Sequence, residues 1–426
     1  MIRRFWVKNY LSIKDKQELN FETKKSDSPL VVEVENNVYL YKLGVLFGPN
    51  ASGKSNMLQA LNTVFQLLVT SRSSEFEDVV VWEPFKLAEK DYSEMFVSFY
   101  ADRIRYDYSV IFDDSKIIKE QLHYYPNNYK VLFYERTFTG TNLQSEIKFG
   151  PSLGLKPDTQ DTIRNNTLNN HSVLSVCRKI ALKEDGMRFS SLYSWIMSNY
   201  HDVDGDGMKG VVEILKNAYD NPPKRKFFNL MLAKADLNII DFRPIPEDRV
   251  VPKEILDRFK NNEVPKVFKD ALLSTVYDTI SFLNHSDDGD FAVPLRLQSM
   301  GTQKYIEILD ALYDMISSPH VYYLDELGED LHADLLMYYL SVFIYNSSNS
   351  QLIITSQELT LLAQDLLNEN RGAVWFVEKN KSTASSEYAR ADSFGLHKNL
   401  SLYNSYVIGR LGAKPELGSI FLNLDE

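Results

Sequence analysis

A single cysteine, Cys177, stands among 426 residues, so no internal disulfide framework exists and a reducing compartment is expected. Its setting, Ser-Val-Leu-Ser-Val-Cys-Arg-Lys-Ile-Ala-Leu, predicts a half-apolar helix and a packing role. No His or Asp motif accompanies it as a nucleophile's would. No run of about 18 apolar residues occurs, so no membrane span is expected. The opening Met-Ile-Arg-Arg-Phe-Trp-Val lacks an apolar stretch of export-signal length, and a cytoplasmic protein is expected. Basic charge is also short: 47 Lys and Arg against 58 Asp and Glu leave a net charge of −11. A coat for neutralising nucleic-acid phosphates is therefore unsupported. The local basic spots, Lys14 to Lys16 and Lys224-Arg225-Lys226, read as solvated charge. Repeats, low-complexity tracts and sustained heptads are missing too, which excludes a long coiled coil. What the chain does have is 44% hydrophobic and 12% aromatic residues, enough to bury one large core or two lobes.

Hydrophobic periodicity organises the rest. Phe5, Val7 and Tyr10 alternate as in a strand, and a second strand, Val38 to Phe47, runs into a glycine-rich loop. Met57, Leu58, Leu61, Val64, Phe65 and Leu68 then follow helical spacing. From about Met95 to Phe133 the pattern is β, with paired strands turning near Asp102-Arg103 and tyrosines on their faces. Residues 157–283 read mainly as helices, with Phe228 to Ile240 an amphipathic example. The last third alternates again: a helix from Thr302 to Ile316, strand Val321–Leu324, a helix, strand Leu352–Thr355, a helix, strand Ala373–Val377. Strand–helix–strand order of this kind predicts a mainly parallel sheet in an α/β fold.

Three motifs carry chemistry. Gly48-Pro49-Asn50-Ala51-Ser52-Gly53-Lys54-Ser55 fits G-x-x-x-x-G-K-[ST] in full, between an apolar strand and an apolar helix. Glycines let such a loop curl its N–H groups toward phosphate oxygens, and the helix N-terminus adds positive potential. Lys54 is expected to reach β- and γ-phosphates, and Ser55 to ligate Mg²⁺. The strand Val321–Leu324 ends in Asp325-Glu326. Asp325 can hold the water shell of Mg²⁺, and Glu326 can orient or deprotonate the attacking water. The third, Leu297-Gln298-Ser299-Met300-Gly301-Thr302-Gln303, lies just upstream of that strand and opens a helix. It reads either as a serine helix cap or as an ABC-type signature, in which Ser299 and Gly301 touch a γ-phosphate held by a second subunit. Its place between the phosphate loop and the acidic strand favours the signature.

With these pieces in hand, the chain resembles the prokaryotic AAA15/AAA21-type ATPases, relatives of the RecF, SMC and OLD heads. The matching residues are Phe47 to Asn56 (FGPNASGKSN), Ser299 to Gln303, Leu324 to His332 (LDELGEDLH), and the closing Tyr406-Val407-Ile408-Gly409-Arg410-Leu411-Gly412-Ala413-Lys414-Pro415. The resemblance implies an ABC-type ATPase head with an antiparallel β lobe and a helical insertion. On that plan residues 1–150 form the first half of the head, 151–290 the insertion and 291–426 the second half. It implies ATP and Mg²⁺ as ligands, nucleotide contacts extending to Asn56, and a homo-oligomer closing head to head. It also implies a separately encoded effector, a nuclease or toxin, of the kind found in abortive-infection and phage-defence operons. The alternative is a RecF-like repair ATPase that clamps DNA. Two departures matter: Met300 stands in the signature where a small residue is common, although Ser299 and Gly301 remain, and Gln357 stands where such ATPases carry a γ-phosphate-sensing His after the strand that follows the acidic pair. Glutamine hydrogen-bonds phosphate but cannot be cationic, so slow turnover or an ATP-holding switch is expected.

Two further patterns stay open. Asp202-Val203-Asp204-Gly205-Asp206-Gly207 with Glu213 satisfies D-x-D-x-D-G-x₅-E, the oxygen-ligand spacing of a Ca²⁺ loop. The reading preferred is an acidic connector, because Lys209 stands where a paired loop has an apolar residue and no second loop follows. His285 with Asp287, Asp288 and Asp290 reads as a solvated loop, and His332 as part of a loop facing a second subunit.

Overall fold

The computed structural model describes residues 1–74, 77–79, 82–140, 145–202, 208–235, 238–245, 280–397 and 399–415, without the side chains of residues 208 and 209. The chain divides into two compact units. One comprises Met1–Asp202, Ser318–Leu327 and Ile344–Glu426; the other comprises Val203–Ser317 and Gly328–Phe343.

The first unit is built on a six-stranded sheet. Its order is Tyr200–Asp202, Val321–Leu324, Gln351–Ser356, Leu43–Phe47, Val374–Lys379 and Ser386–Arg390. Five of these strands run parallel and the last is antiparallel. Every residue of Leu43–Phe47, Val321–Leu324 and Gln351–Ser356 is buried, the continuous apolar run that parallel strands show. The registers align their ends: Leu324 lies level with Ile354, and Ser356 with Phe47. Three chain segments therefore leave the sheet along one edge, where ligand sites of parallel α/β sheets form.

A seven-stranded antiparallel sheet makes the β lobe of the same unit. Its order is Ser145–Phe149, Val131–Phe138, Ile117–Tyr125, Ile104–Phe112, Ser93–Ala101, Ile2–Lys8 and Gln17–Asn20. The turn expected near Asp102-Arg103 is a two-residue hairpin with both residues at positive φ (47° and 63°), the backbone twist such hairpins require. The helix Lys54–Val69 carries its apolar stripe against this lobe. Phe65 stacks on Tyr200 at 3.9 Å and meets Phe99 edge-on at 5.5 Å. The α/β class, the parallel sheet and the antiparallel lobe are thus as the sequence predicts.

Some boundaries differ. The expected strand Val38 to Phe47 is two strands in two sheets, Val38–Tyr41 and Leu43–Phe47. Lys42 breaks it: its buried ammonium donates to the carbonyls of Ile344 (2.6 Å) and Ser347 (2.9 Å), a helix-end cap that fixes the bend. The helix expected to reach Ile240 ends at Lys234, and Ile239 starts a β strand paired with Ile280–Asn284. Cys177 sits in a short 3₁₀ turn, Leu174–Arg178, where burial pushes its thiol up to about 12.

The second unit holds helices Met208–Asp220, Pro222–Lys234 and Met300–Ser317 and a three-stranded antiparallel sheet. Its basic run is not simply solvated. Lys224 pairs with Asp310 at 2.6 Å, and Arg225 pairs with Asp241 at 2.7 Å. Among the described residues no helix is long and apolar enough to cross a membrane.

Candidate functional site at the edge of the parallel sheet

The phosphate loop leaves the sheet after Phe47 and enters the helix at Lys54. Gly53 has φ 104°, and a β-carbon there would strike the hydroxyls of Ser386 and Ser12; one on Gly48 would strike the carbonyl of Val377. Both positions therefore demand glycine, one for conformation and both for space. Lys54 is 4% exposed and donates to the carbonyls of Gly48 (2.9 Å) and Pro49 (3.0 Å). Burial lowers its pKa from the usual lysine value, while Glu326 and then Asp325 pull it back up. Ser52 is buried, with a hydroxyl that finds no hydrogen-bond partner among the described residues. Asn50 and Ser55 are exposed, and Asn56 is half-buried. A curled backbone, a helix N-terminus and a desolvated ammonium together make a donor set suited to a polyphosphate. The nearby hydroxyl and carboxylate oxygens suit a hard divalent cation.

The loop is braced by residues that carry no motif. Ser386 donates to the carbonyl of Ser52 at 2.6 Å and meets Ser12 at 2.7 Å, while Asn56 donates to Ser12 at 2.6 Å. Tyr388 donates to the carbonyl of Gly53, also at 2.6 Å. The closing segment supplies a second brace. Tyr406 meets Phe47 edge-on at 5.0 Å and donates to Ala413, whose N–H donates in turn to Glu378. Two serines 374 positions apart give no signal in a one-dimensional pattern.

At the end of the neighbouring strand, Asp325 and Glu326 form a turn pinned to Gln351–Ser356. Thr355 donates its hydroxyl proton to Asp325, and the same oxygen accepts the N–H of Glu326 at 2.7 Å. Leu327 donates to the carbonyl of Thr355 at 3.0 Å, and Ser356 donates to the carbonyl of Leu327 at 3.1 Å. Glu326 holds φ 51°, uncommon for a residue with a side chain. Gln357 follows this strand directly and is exposed. Lys54, Asp325, Glu326 and Gln357 thus all lie in the first unit, at the ends of three parallel strands that neighbour one another.

Ser299 and Gly301 belong to the second unit. Ser299 caps the helix Met300–Ser317, accepting the N–H of Thr302 at 3.1 Å, and it remains exposed beside Met300. A β-carbon on Gly301 would meet the carbonyl of Asp330. The hydroxyl of Ser299 also meets that of Thr302 at 2.9 Å, so two of its three hydrogen-bonding positions are taken and one is left. His285 bonds Asp290 at 2.8 Å on the surface, and His332 accepts the N–H of Asp334. Of the Asp202–Glu213 pattern, residues 203–207 lie outside the described residues. Asp202 itself ends a strand of the parallel sheet and accepts from Asn62 at 2.7 Å. Among the described residues no cluster of three His, Cys, Asp or Glu could hold a metal ion.

The chain is similar to several solved structures at low identity. The SMC head domain from Thermotoga maritima matches with TM-score 0.39 and 14% identity, covering 91% of this chain and 98% of that one. An Smc head bound to the C-winged helix domain of ScpA gives 0.42 and 14%, covering 93% and 99%. The Smc head with an extended coiled coil bound to the C-terminal domain of ScpA, from Pyrococcus furiosus, gives 0.37 and 13%, covering 96% and 98%. The chain matches no curated protein. A family model described as "AAA domain, putative AbiEii toxin, Type IV TA system" matches residues 43–363, from the strand before the phosphate loop to beyond Gln357. That span is well over half of the chain and contains all three motifs, and the protein belongs to this AAA-domain ATPase family.

Proposed function

We propose that this protein is an ATP-driven switch that hydrolyses ATP in a composite site and controls a separately encoded effector in anti-phage defence. The observation that carries the reading is the buried ammonium of Lys54. Its hydrogen bonds go to neutral loop carbonyls, and two carboxylates near enough to raise its pKa end the acidic strand. Residues Gly48 to Asn56 bind the phosphates, with Lys54 on the β- and γ-groups. Ser55 and Asp325 hold the cation. Bound ATP and Mg²⁺ supply a phosphoanhydride bond and a Lewis acid to polarise it. Glu326 orients the attacking water and takes its proton. Gln357 hydrogen-bonds the γ-phosphate without adding charge, which favours slow turnover. Ser299 and Gly301 act from a second copy, so two heads close on nucleotide and a monomer hydrolyses poorly.

The defence role draws on the family description, which names a toxin of a type IV system, and on the closing segment Tyr406–Pro415. The alternative, a RecF-like clamp on DNA, gains nothing from the basic run, since Lys224 and Arg225 are committed to Asp310 and Asp241.

The test is molecular mass in solution with and without ATP·Mg²⁺, for the parent, Lys54→Ala and Glu326→Gln. Assembly driven by nucleotide, lost in Lys54→Ala and prolonged in Glu326→Gln, is the expected result. A mass indifferent to nucleotide in all three would sink the head-to-head switch.

A further inference from the structure

We infer that Thr355 is a positioning residue for the acidic pair, an inference that rests on the ATPase reading above. Thr355 lies on a different strand from Asp325 and Glu326, is fully buried, and reaches both through one oxygen. A hydroxyl has one proton to give and two lone pairs to receive with. Here the proton goes to Oδ1 of Asp325, and a lone pair receives the N–H of Glu326. One side chain thereby fixes which carboxylate oxygen of Asp325 is spent within the protein. It also fixes the peptide on which Glu326 adopts its left-handed φ of 51°. The bond to a carboxylate is charge-assisted, the stronger kind, and burial excludes water as a substitute partner.

The pin has a second consequence. Thr355 and Ser356 are the last residues of their strand, and Gln357 follows at once. Ser356 and the backbone of Thr355 hold Leu327, so the turn 325–327 is tied to the strand end at four points. Movement of Gln357 toward a γ-phosphate pulls on the same strand end that holds the carboxylates. Thr355 touches neither nucleotide nor water in this account; it acts through Asp325 and Glu326.

The experiment compares Thr355→Val, which is nearly isosteric and cannot hydrogen-bond, with Thr355→Ser, which keeps the hydroxyl. Binding of a fluorescent ATP analogue is measured in EDTA and across a Mg²⁺ titration, alongside kcat, KM and thermal melting. The expected Thr355→Val protein binds nucleotide in EDTA as the parent does. Its Mg²⁺-dependent gain in affinity is lost and its kcat falls on the order of 10- to 100-fold, the usual effect of losing a partner of a metal-site ligand. Thr355→Ser is expected to recover most of both. Should Thr355→Val fail to fold, Thr355→Cys, of similar volume and only a weak donor, takes its place. A parental Mg²⁺ dependence and kcat in Thr355→Val overturns the inference. So does a Thr355→Ser protein as impaired as Thr355→Val, because then the methyl group's packing is what matters. A parent that fails to bind ATP, or whose binding in EDTA survives Lys54→Ala unchanged, removes the ATPase reading itself and this inference with it.

Discussion

Two buried charge clusters in the same unit are treated in opposite ways. In the β lobe, Arg136 and Glu120 are fully buried and 3.7 Å apart. Arg136 donates to the carbonyls of His171 (2.7 Å) and Leu168 (2.9 Å) and to Asn169 (3.2 Å). Glu120 receives Tyr108 at 2.9 Å and the N–H of Val173 at 2.8 Å. Burial pushes both groups toward neutrality, and their mutual attraction opposes it. Among the described residues, Nε of Arg136 alone in this cluster is left without a partner. At the sheet edge, Lys54 is nearly as buried but bonds only the carbonyls of its own loop among the described residues. The first cluster has spent its valences on itself and works as a structural pin. The second keeps a desolvated cation whose acceptors are weak and replaceable, the condition in which an incoming anion gains most.

The contrast breaks most visibly at Lys54. Lys54→Ala is expected to lower ATP affinity or turnover on the order of 10³-fold, as loss of a charge-assisted phosphate contact does in a water-poor site, while melting barely moves. Calorimetry with ATP·Mg²⁺ checks the first part and thermal melting the second. A large fall in melting temperature would show that Lys54 holds the loop together and would erase the distinction.

Arg136→Met should do the reverse. It strands Glu120 in the lobe interior, with an expected cost of about 3–5 kcal/mol in denaturant unfolding. Nucleotide affinity of the folded fraction should stay at the parental value. Nucleotide binding lost in step with Arg136 would mean that the lobe network serves the site.

The legibility of the two clusters in the sequence differs for a physical reason. The phosphate loop is local: its glycines, Lys54 and Ser55 are consecutive, so their chemistry shows as a pattern. The acidic pair is likewise marked by the apolar strand before it. The lobe pin joins Glu120, Arg136 and residues 168–173, and nothing in their spacing marks them as neighbours. Ser12, Ser386 and Tyr388, which brace the loop, and Thr355, which holds the acidic turn, are ordinary hydroxyl residues brought in by pairing of distant strands. The three-residue strand Tyr200–Asp202 was illegible on similar grounds. It is too short to show a period, and it is a strand because it pairs with Val321–Tyr323.

Within the site, Glu326→Gln separates binding from chemistry. The amide keeps the shape and hydrogen-bonding reach but cannot take a proton, so turnover is expected to fall on the order of 10²-fold with affinity unchanged. Single-turnover hydrolysis beside equilibrium binding measures the two separately. Equal rates in the variant and the parent would remove Glu326 as the base and leave the acidic turn a cation holder only.

The smallest expected effect sharpens the lobe side of the comparison through pH. His171 is 1% exposed, and burial holds its pKa down to about 4, with Lys179, Arg136 and Arg72 pushing the same way. Leu168 donates its N–H to Nε2 at 3.2 Å, so the neutral ring carries its proton on Nδ1, which faces the carbonyl of Ser172 at 3.1 Å. Protonating Nε2 would set two donors against each other inside the network that holds Arg136. The unfolded chain takes up this proton near pH 6.5 and the folded chain only near 4. Stability from this group is therefore complete above pH 6.5, falls as pH drops through that window, and changes no further below about 4. The total is about 2–3 kcal/mol after allowance for local relaxation. Glu120, whose pKa is raised, contributes with the opposite sign, so the parent alone is not diagnostic. The measurement is the difference in unfolding free energy between parent and His171→Gln at pH 7 and at pH 4.5, which should narrow as pH falls. A difference that stays constant would mean that His171 takes up its proton at the same pH folded as unfolded, as a hydrated ring does, and that the lobe pin is less closed than its hydrogen bonds imply.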